Sequence, residues 1–153
     1  MEFLPGQLQH PAVIALLTEH HADMERISPP GSMHTLDINA LQGDDISFWS
    51  VWSGEAIVGC CALKEITPLH AEMKSMRTHH DFRRQGIARL MVNHLIDTAI
   101  ARGMSRLSLE TGSQPEFAPA RSLYRSIGFL TCPPFEGYWI DPNSTFMTMR
   151  LPG

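Results

Sequence analysis

The run Arg83-Arg84-Gln85-Gly86-Ile87-Ala88 sets two guanidinium groups, an amide and a glycine just ahead of a stretch with helical apolar periodicity. A loop of this kind suits an anion. Backbone N–H groups at a helix start lack intrahelical partners and carry the positive end of the helix dipole, so several donors can face one phosphate or pyrophosphate. Gly86 removes a Cβ where phosphate oxygens would approach the backbone, Ala88 keeps the first turn small, and Arg83 and Arg84 add charge. The same spacing also describes an ordinary basic loop capping a helix, because short Gly-containing strand-to-helix connections are common.

Other chemistries find less support. No Gly-x-Ser-x-Gly elbow and no Gly-x-x-x-x-Gly-Lys run occurs. The pairs His20-His21 and His79-His80 lack a spacing that puts both imidazoles on one helix face or loop, so no metal is expected. Three cysteines, two of them adjacent at Cys60 and Cys61, cannot build a disulfide framework, and neighbours on a strand point to opposite faces; reduced thiols in the cytoplasm fit. Twelve Lys and Arg against sixteen Asp and Glu give a formal charge of −4, which disfavours nucleic acid and anionic membrane as partners, so phosphate binding must be local. The start of the chain has no basic, apolar signal pattern, and no run is long enough to span a bilayer. A chain of 153 residues, 43% of them hydrophobic, suits one domain over 1–153.

The elements that must position the loop follow from periodicity. Pro11 to Arg26 reads as an amphipathic helix, and Thr35 to Leu41 as a short second one. Ser47–Trp52 and Ala56–Ile66, joined at Ser53-Gly54-Glu55, read as a β-hairpin. Ala71 to Thr78 alternates with period two, which places Glu72, Lys74 and Met76 on one face. Ile87 to Arg102 carries helical periodicity ending at Gly103, and Arg106 to Thr111 alternates again as a strand. Strand, helix and strand make a βαβ unit, whose ligand crevice lies at the carboxyl ends of its parallel strands. A short helix over Pro119–Ile127 stops at Gly128, and Phe135–Ile140 with Phe146–Leu151 are expected to pair across the turn at Asp141-Pro142-Asn143-Ser144.

Two motifs in order carry a family resemblance. Arg83-x-x-Gly86-x-Ala88, following Lys74-Ser75-Met76-Arg77-Thr78, resembles the coenzyme A-binding motif of the GNAT superfamily of N-acetyltransferases. Ala120-x-x-Leu123-Tyr124-x-x-x-Gly128-Phe129 is similar to the element that follows the fifth strand in many members. The resemblance runs from about Trp49 to Leu151. It implies an α/β (α+β) fold with a central mixed, mostly antiparallel twisted sheet, a parallel βαβ acetyl-CoA-binding unit and flanking helices. It further implies acetyl-CoA as cosubstrate and direct acetyl transfer to an amine. Met76, Arg77 and Thr78 would then meet the pantetheine arm and acetyl carbonyl, and Arg83, Arg84, Gln85, Gly86, Ile87, Ala88 and Arg89 the pyrophosphate.

Tyr124 would sit beside the thioester sulfur, able to protonate the leaving thiolate, although a packed aromatic on a helix face is the plainer reading of its spacing. Glu72 is the candidate base by its place on the strand before Met76; Glu110, at the end of the next strand, and a water chain are the competitors. Many members carry an asparagine three positions before the alanine matched by Ala120; here that position is Phe117. Ser28–Asp37 and Pro133–Tyr138 are expected to border the acceptor, and their prolines, aromatics and few acids suit a primary amine of a small molecule or amino-acid-like acceptor better than a long basic peptide; the family allows a homodimer. A non-catalytic acyl-CoA-binding or regulatory domain is the alternative reading of the same loop.

Overall fold

The computed structural model describes residues 1–29 and 38–152. The start of the short second helix at Thr35, and with it most of the expected Ser28–Asp37 border, lies outside them. The elements in chain order are β1 (Glu2–Pro5), α1 (Pro11–Ile27), α2 (Ile38–Leu41), β2 (Ile46–Ser53), β3 (Ala56–Thr67) and β4 (His70–Thr78). These are followed by α3 (Ile87–Ala101), β5 (Arg106–Gly112), α4 (Ala118–Ile127), β6 (Leu130–Thr131) and β7 (Ser144–Arg150). The strands form one seven-stranded sheet in the order β1-β2-β3-β4-β5-β7-β6, antiparallel except for the β4–β5 pair. That parallel pair, joined through α3, is the expected βαβ unit.

Apolar faces decide what covers the sheet. On one side, Val58, Cys61, Leu63, Met73, Leu107 and Leu109 pack with Ile87, Met91, Val92 and Leu95 of α3 and with Tyr124 of α4. On the other, Phe48, Trp52, Cys60 and Ala62 pack with Val13, Leu16 and Leu17 of α1 and Leu41 of α2. Strand β3 is therefore covered twice and reads as an almost unbroken buried run from Ile57 to Leu63. Cys60 and Cys61 point into opposite cores, as their adjacency requires. No helix among the described residues is long and apolar enough to cross a membrane.

One strand was not expected, and two expectations need correction. A strand at Glu2–Pro5, which four residues do not announce, pairs with the edge of β2. Phe135–Ile140 is not a strand; β7 pairs instead with β6, and after Cys132, whose N–H still reaches Phe146, come the prolines at 133 and 134, which lack the N–H a ladder needs. Met76 does not share a face with Glu72 and Lys74. Ser75 adopts φ 54° and the β3–β4 register slips there, with Lys74 opposite Ala62 but Arg77 opposite Cys60. This bulge resets the alternation, so Arg77 joins Glu72 and Lys74 on the α1 face while Met76 packs against the α3 core.

Arg77 is thereby aimed at α1. Its Nη2 donates to Glu19 Oε1 at 2.5 Å and to Asp23 Oδ2 at 2.6 Å, a two-carboxylate clasp that joins the helix to the bulged strand. The guanidinium is the first cause of a lowered pKa at both acids. Both acids reach solvent, at 37% and 28% exposure, so Arg77→Met should cost about 1–3 kcal/mol rather than the larger loss of a fully buried pair. Because the folded values lie below the ordinary 4.5 and 3.8, the contribution is complete above those values and is lost as pH falls through the folded ones. Denaturant unfolding should therefore show the wild-type advantage shrinking below about pH 4. An advantage constant from neutral pH into that range would refute the clasp's role.

Candidate functional site

Strands β4 and β5 pair only from His70 opposite Arg106 to Met73 opposite Leu109. Beyond that point they part, just where the bulge at Ser75 turns β4. The gap is a cavity of about 280 Å³ lined by β4 from Glu72 to Thr78, by β5 from Leu109 to Gly112, and by Ala120 and Tyr124 of α4. Residues His20, Met24 and Ser28, one α1 stripe at i, i+4 and i+8, form the facing wall, and Arg83 closes the end nearest α3. The cavity thus sits at the carboxyl ends of the two parallel strands, where the βαβ pattern places it.

The α3 end of the cavity is built for an anion. Gly86 is the N-cap at φ 79°, with no side-chain hydrogen bond to the helix start and no heavy atom within 4 Å of where a Cβ would stand. The first-turn N–H groups consequently have no side-chain cap, and room remains in front of them. Of the loop, only Arg83 borders the cavity itself; Arg84, Gln85 and Gly86 are exposed beyond it, and Ala88 is half-buried. The Ile87 side chain belongs to the core, and Arg89 reaches across to Ser126 Oγ at 2.9 Å, fixing the helix start against α4. Glu72, Met76, Arg77, Thr78 and Tyr124 do meet around the cavity, though the Arg77 guanidinium is committed to α1.

Tyr124 is 8% exposed and stands edge-on to Phe129 at 5.9 Å. Burial raises its phenol to about 12, so it holds its proton at neutral pH. Phe117, in the position of the family asparagine, also lines the cavity and lies so close to Gly112 that any Cβ there would overlap its ring and Gln114. It supplies shape where the resemblance led one to expect a hydrogen bond.

The opposite end is polar. Glu72, 3% exposed, accepts the Tyr138 O–H at Oε2 over 2.7 Å, and Lys74 Nζ donates to Tyr138 Oη at 2.9 Å and more loosely to Glu72 Oε2 at 3.4 Å. Tyr138 is held over this face by an aromatic cluster with Phe135 and Phe146, at centroid distances of 5.3 Å to each. Glu110, on the same face of β5, lies inside the cavity rather than in open solvent. Burial raises its carboxyl to about 7, opposed by the Ser144 hydroxyl and Lys74 and reinforced by Glu72 and Asp141. His20 is held down to about 4 by burial and by Arg77, and its buried Nδ1 has no partner among the described residues.

Lys74, His20 and Met24 are site residues that the sequence did not single out as such. The signals were present in the strand face shared with Glu72 and in the 20, 24, 28 stripe. Outside the cavity, His79, His80 and Asp81 bring one ligand atom each within 4.8 Å of one another, where separate positions were expected. His79 Nδ1 already accepts the Asp81 N–H at 3.1 Å.

Comparison with known proteins agrees with this architecture. Residues 13–129 match the model of the acetyltransferase (GNAT) family. The chain is 50% identical over 139 residues to the uncharacterized N-acetyltransferase YsnE of Bacillus subtilis, covering 91% of this chain and 92% of that one. A crystal structure from Klebsiella pneumoniae described as an acyl-CoA N-acyltransferase superposes with a TM-score of 0.81 at 26% identity, covering 98% of this chain and 97% of that one. A GNAT acetyltransferase from Elizabethkingia anophelis, solved with acetyl-CoA bound, shares the fold at a TM-score of 0.68 and 16% identity, with 98% and 97% covered. With its parted parallel strands, uncapped helix start and half-identical relative, the chain belongs to the GNAT family and is an N-acetyltransferase.

Proposed function

We propose that this enzyme transfers the acetyl group of acetyl-CoA to the primary amine of a small molecule, acting as one domain over residues 1–153. The observation that carries the reading is the cavity between β4 and β5, which runs from Arg83, just ahead of the uncapped start of α3, to a cluster of acid–base side chains at the other end. The bound acetyl-CoA of the Elizabethkingia enzyme, which has the same fold, supports the choice of donor.

Each role follows from position. The α3 N-terminus with Arg83 and Arg84 holds the pyrophosphate, while β4 between Lys74 and Thr78, past its last pair with β5, offers backbone groups to the pantetheine arm. The Met76 N–H is where we place the donor for the oxyanion that forms when the amine nitrogen attacks the thioester carbonyl. As the C–S bond breaks, Tyr124 gives its proton to the departing sulfur and recovers one from water. The attacking nitrogen must lose a proton, and two carboxylates stand on the same face.

Glu72 already accepts from Tyr138 and Lys74, so its Oε2 is engaged in holding them. Among the described residues Glu110 accepts no lysine hydrogen bond and feels Lys74 only through its field, and burial lifts its carboxyl to about 7, where a general base works best. We therefore assign proton removal to Glu110, directly or through water, and give Glu72 the task of holding Lys74 and Tyr138.

Two experiments test these assignments. A base that works ionised makes kcat/KM rise with pH through about 7 and level off above it. Glu110→Gln should lower kcat about 10²–10⁴-fold and flatten that limb, whereas Glu72→Gln should keep it; a limb surviving in Glu110→Gln would return the role to Glu72 or to water. Gly86→Glu sets a carboxylate and a left-handed side chain before the helix start, and acetyl-CoA affinity measured by calorimetry should fall more than about tenfold. Unchanged affinity in a folded Gly86→Glu protein would remove the loop from the donor site.

A further inference from the structure

Lys74 is an unusual occupant of its position. Its side chain is 9% exposed, yet it lines the cavity at the end away from Arg83, on the face that carries Glu72 and Glu110. Placing an ammonium there costs solvation, and its ion pair returns little, because the 3.4 Å contact with Glu72 is longer than a strong charge-assisted hydrogen bond. Glu72 does not need the lysine as its only donor, since Tyr138 already supplies an O–H at 2.7 Å. Of the three N–H groups on Nζ, those to Glu72 and Tyr138 are engaged. Among the described residues the third has no partner, which leaves it for whatever enters.

The other cations around the cavity are spoken for. Arg77 is clasped by Glu19 and Asp23, and Arg83 stands at the α3 end, beside the phosphate-binding loop. His20 on the facing wall is neutral at pH 7. Among the described residues lining the cavity, Lys74 is thus the cation positioned at the acceptor end. Register fixes its neighbour: Glu72 lies opposite Ser108, so two residues further along each strand bring Lys74 and Glu110 level with one another across the widening gap.

We propose that Lys74 selects the acceptor by binding its carboxylate, so that the natural substrates are small amino acids whose ammonium is presented to Glu110 while their carboxylate meets the Lys74 ammonium. The inference rests on the acetyl-transfer reading and names its substrate class. Chemistry at the two ends is complementary: one group gains a proton from the amine, and the other holds the far end of the same molecule still. The same ammonium repels a second cation, which makes diamines poor acceptors.

Binding and turnover test this separately. With CoA present, calorimetry should show an N-acetylated amino acid binding at least about tenfold more tightly than its carboxamide, which loses the charge-assisted contact. Lys74→Met should abolish that ratio and Lys74→Arg should restore most of it. Because Lys74→Met leaves Glu72 with one donor fewer, the Glu72→Gln/Lys74→Met double variant serves as a folded control for the same binding ratio. In turnover, free amino acids should exceed their amides, their decarboxylated amines and diamines in kcat/KM, with the Lys74→Met loss appearing mainly in KM. Equal binding of acid and amide by the wild type, or a ratio unchanged in Lys74→Met, overturns the proposal. Carboxylate-dependent binding without acetylation of any amine would instead sink the catalytic reading and leave Lys74 as a carboxylate site.

Discussion

The constraint on which the rest depends is the separation of β4 from β5 after Met73 and Leu109. Two parallel strands in mid-sheet normally exchange hydrogen bonds to their ends, and buried backbone groups that lose their partners need others. Here the bulge at Ser75 bends β4 away, and the backbone beyond it faces a cavity. The cost of that break is offset by packing on both sides: α3 and α4 behind the sheet, α1 in front, and the Arg77 clasp fastening α1 to the strand where its own neighbour has withdrawn. A ligand with an amide-bearing arm and an anionic end fits such a break because it can supply what the missing strand would have supplied.

Electrostatics then divides the cavity along its length. Positive groups gather where α3 begins, and the far end holds Glu72, Lys74, Glu110 and Tyr138 within one face of the sheet. Burial raises both Tyr124 and Glu110. It keeps Tyr124 protonated and lifts Glu110 toward neutrality, so an acid and a base coexist at one pH. The aromatic cluster of Phe135, Tyr138 and Phe146 packs over this face and carries the hydroxyl that bridges Glu72 to Lys74.

Much of this was legible because it is local. The periodicity of α3 with Gly103 beyond it, the strand that follows, and the paired motifs around Gly86 and Tyr124 all depend on near neighbours in sequence. What escaped depends on partners. Four residues at Glu2–Pro5 become a strand only against the edge of β2. Period-two reading put Met76 beside Lys74, since an alternating pattern carries no mark of a serine at positive φ. Phe135 and Tyr138 look strand-like, yet they lie on the sheet as a cover, and only the two prolines before them hinted at it. Lys74 was visible as a residue on the right face, but its burial, and therefore its meaning, needed the loop that covers it.

The adjacent thiols of β3 have a consequence of their own. Cys60 is raised to about 12 by burial, Cys61 is raised for the same reason, and each looks into a different core. A thiol-specific reagent reaches Cys60 only when α1 lifts from the front of the sheet, and Cys61 only when α3 leaves the back. Two consecutive residues thus act as separate clocks for the opening of the molecule's two halves, and their relative labelling rates rank the helices by the order in which they let go.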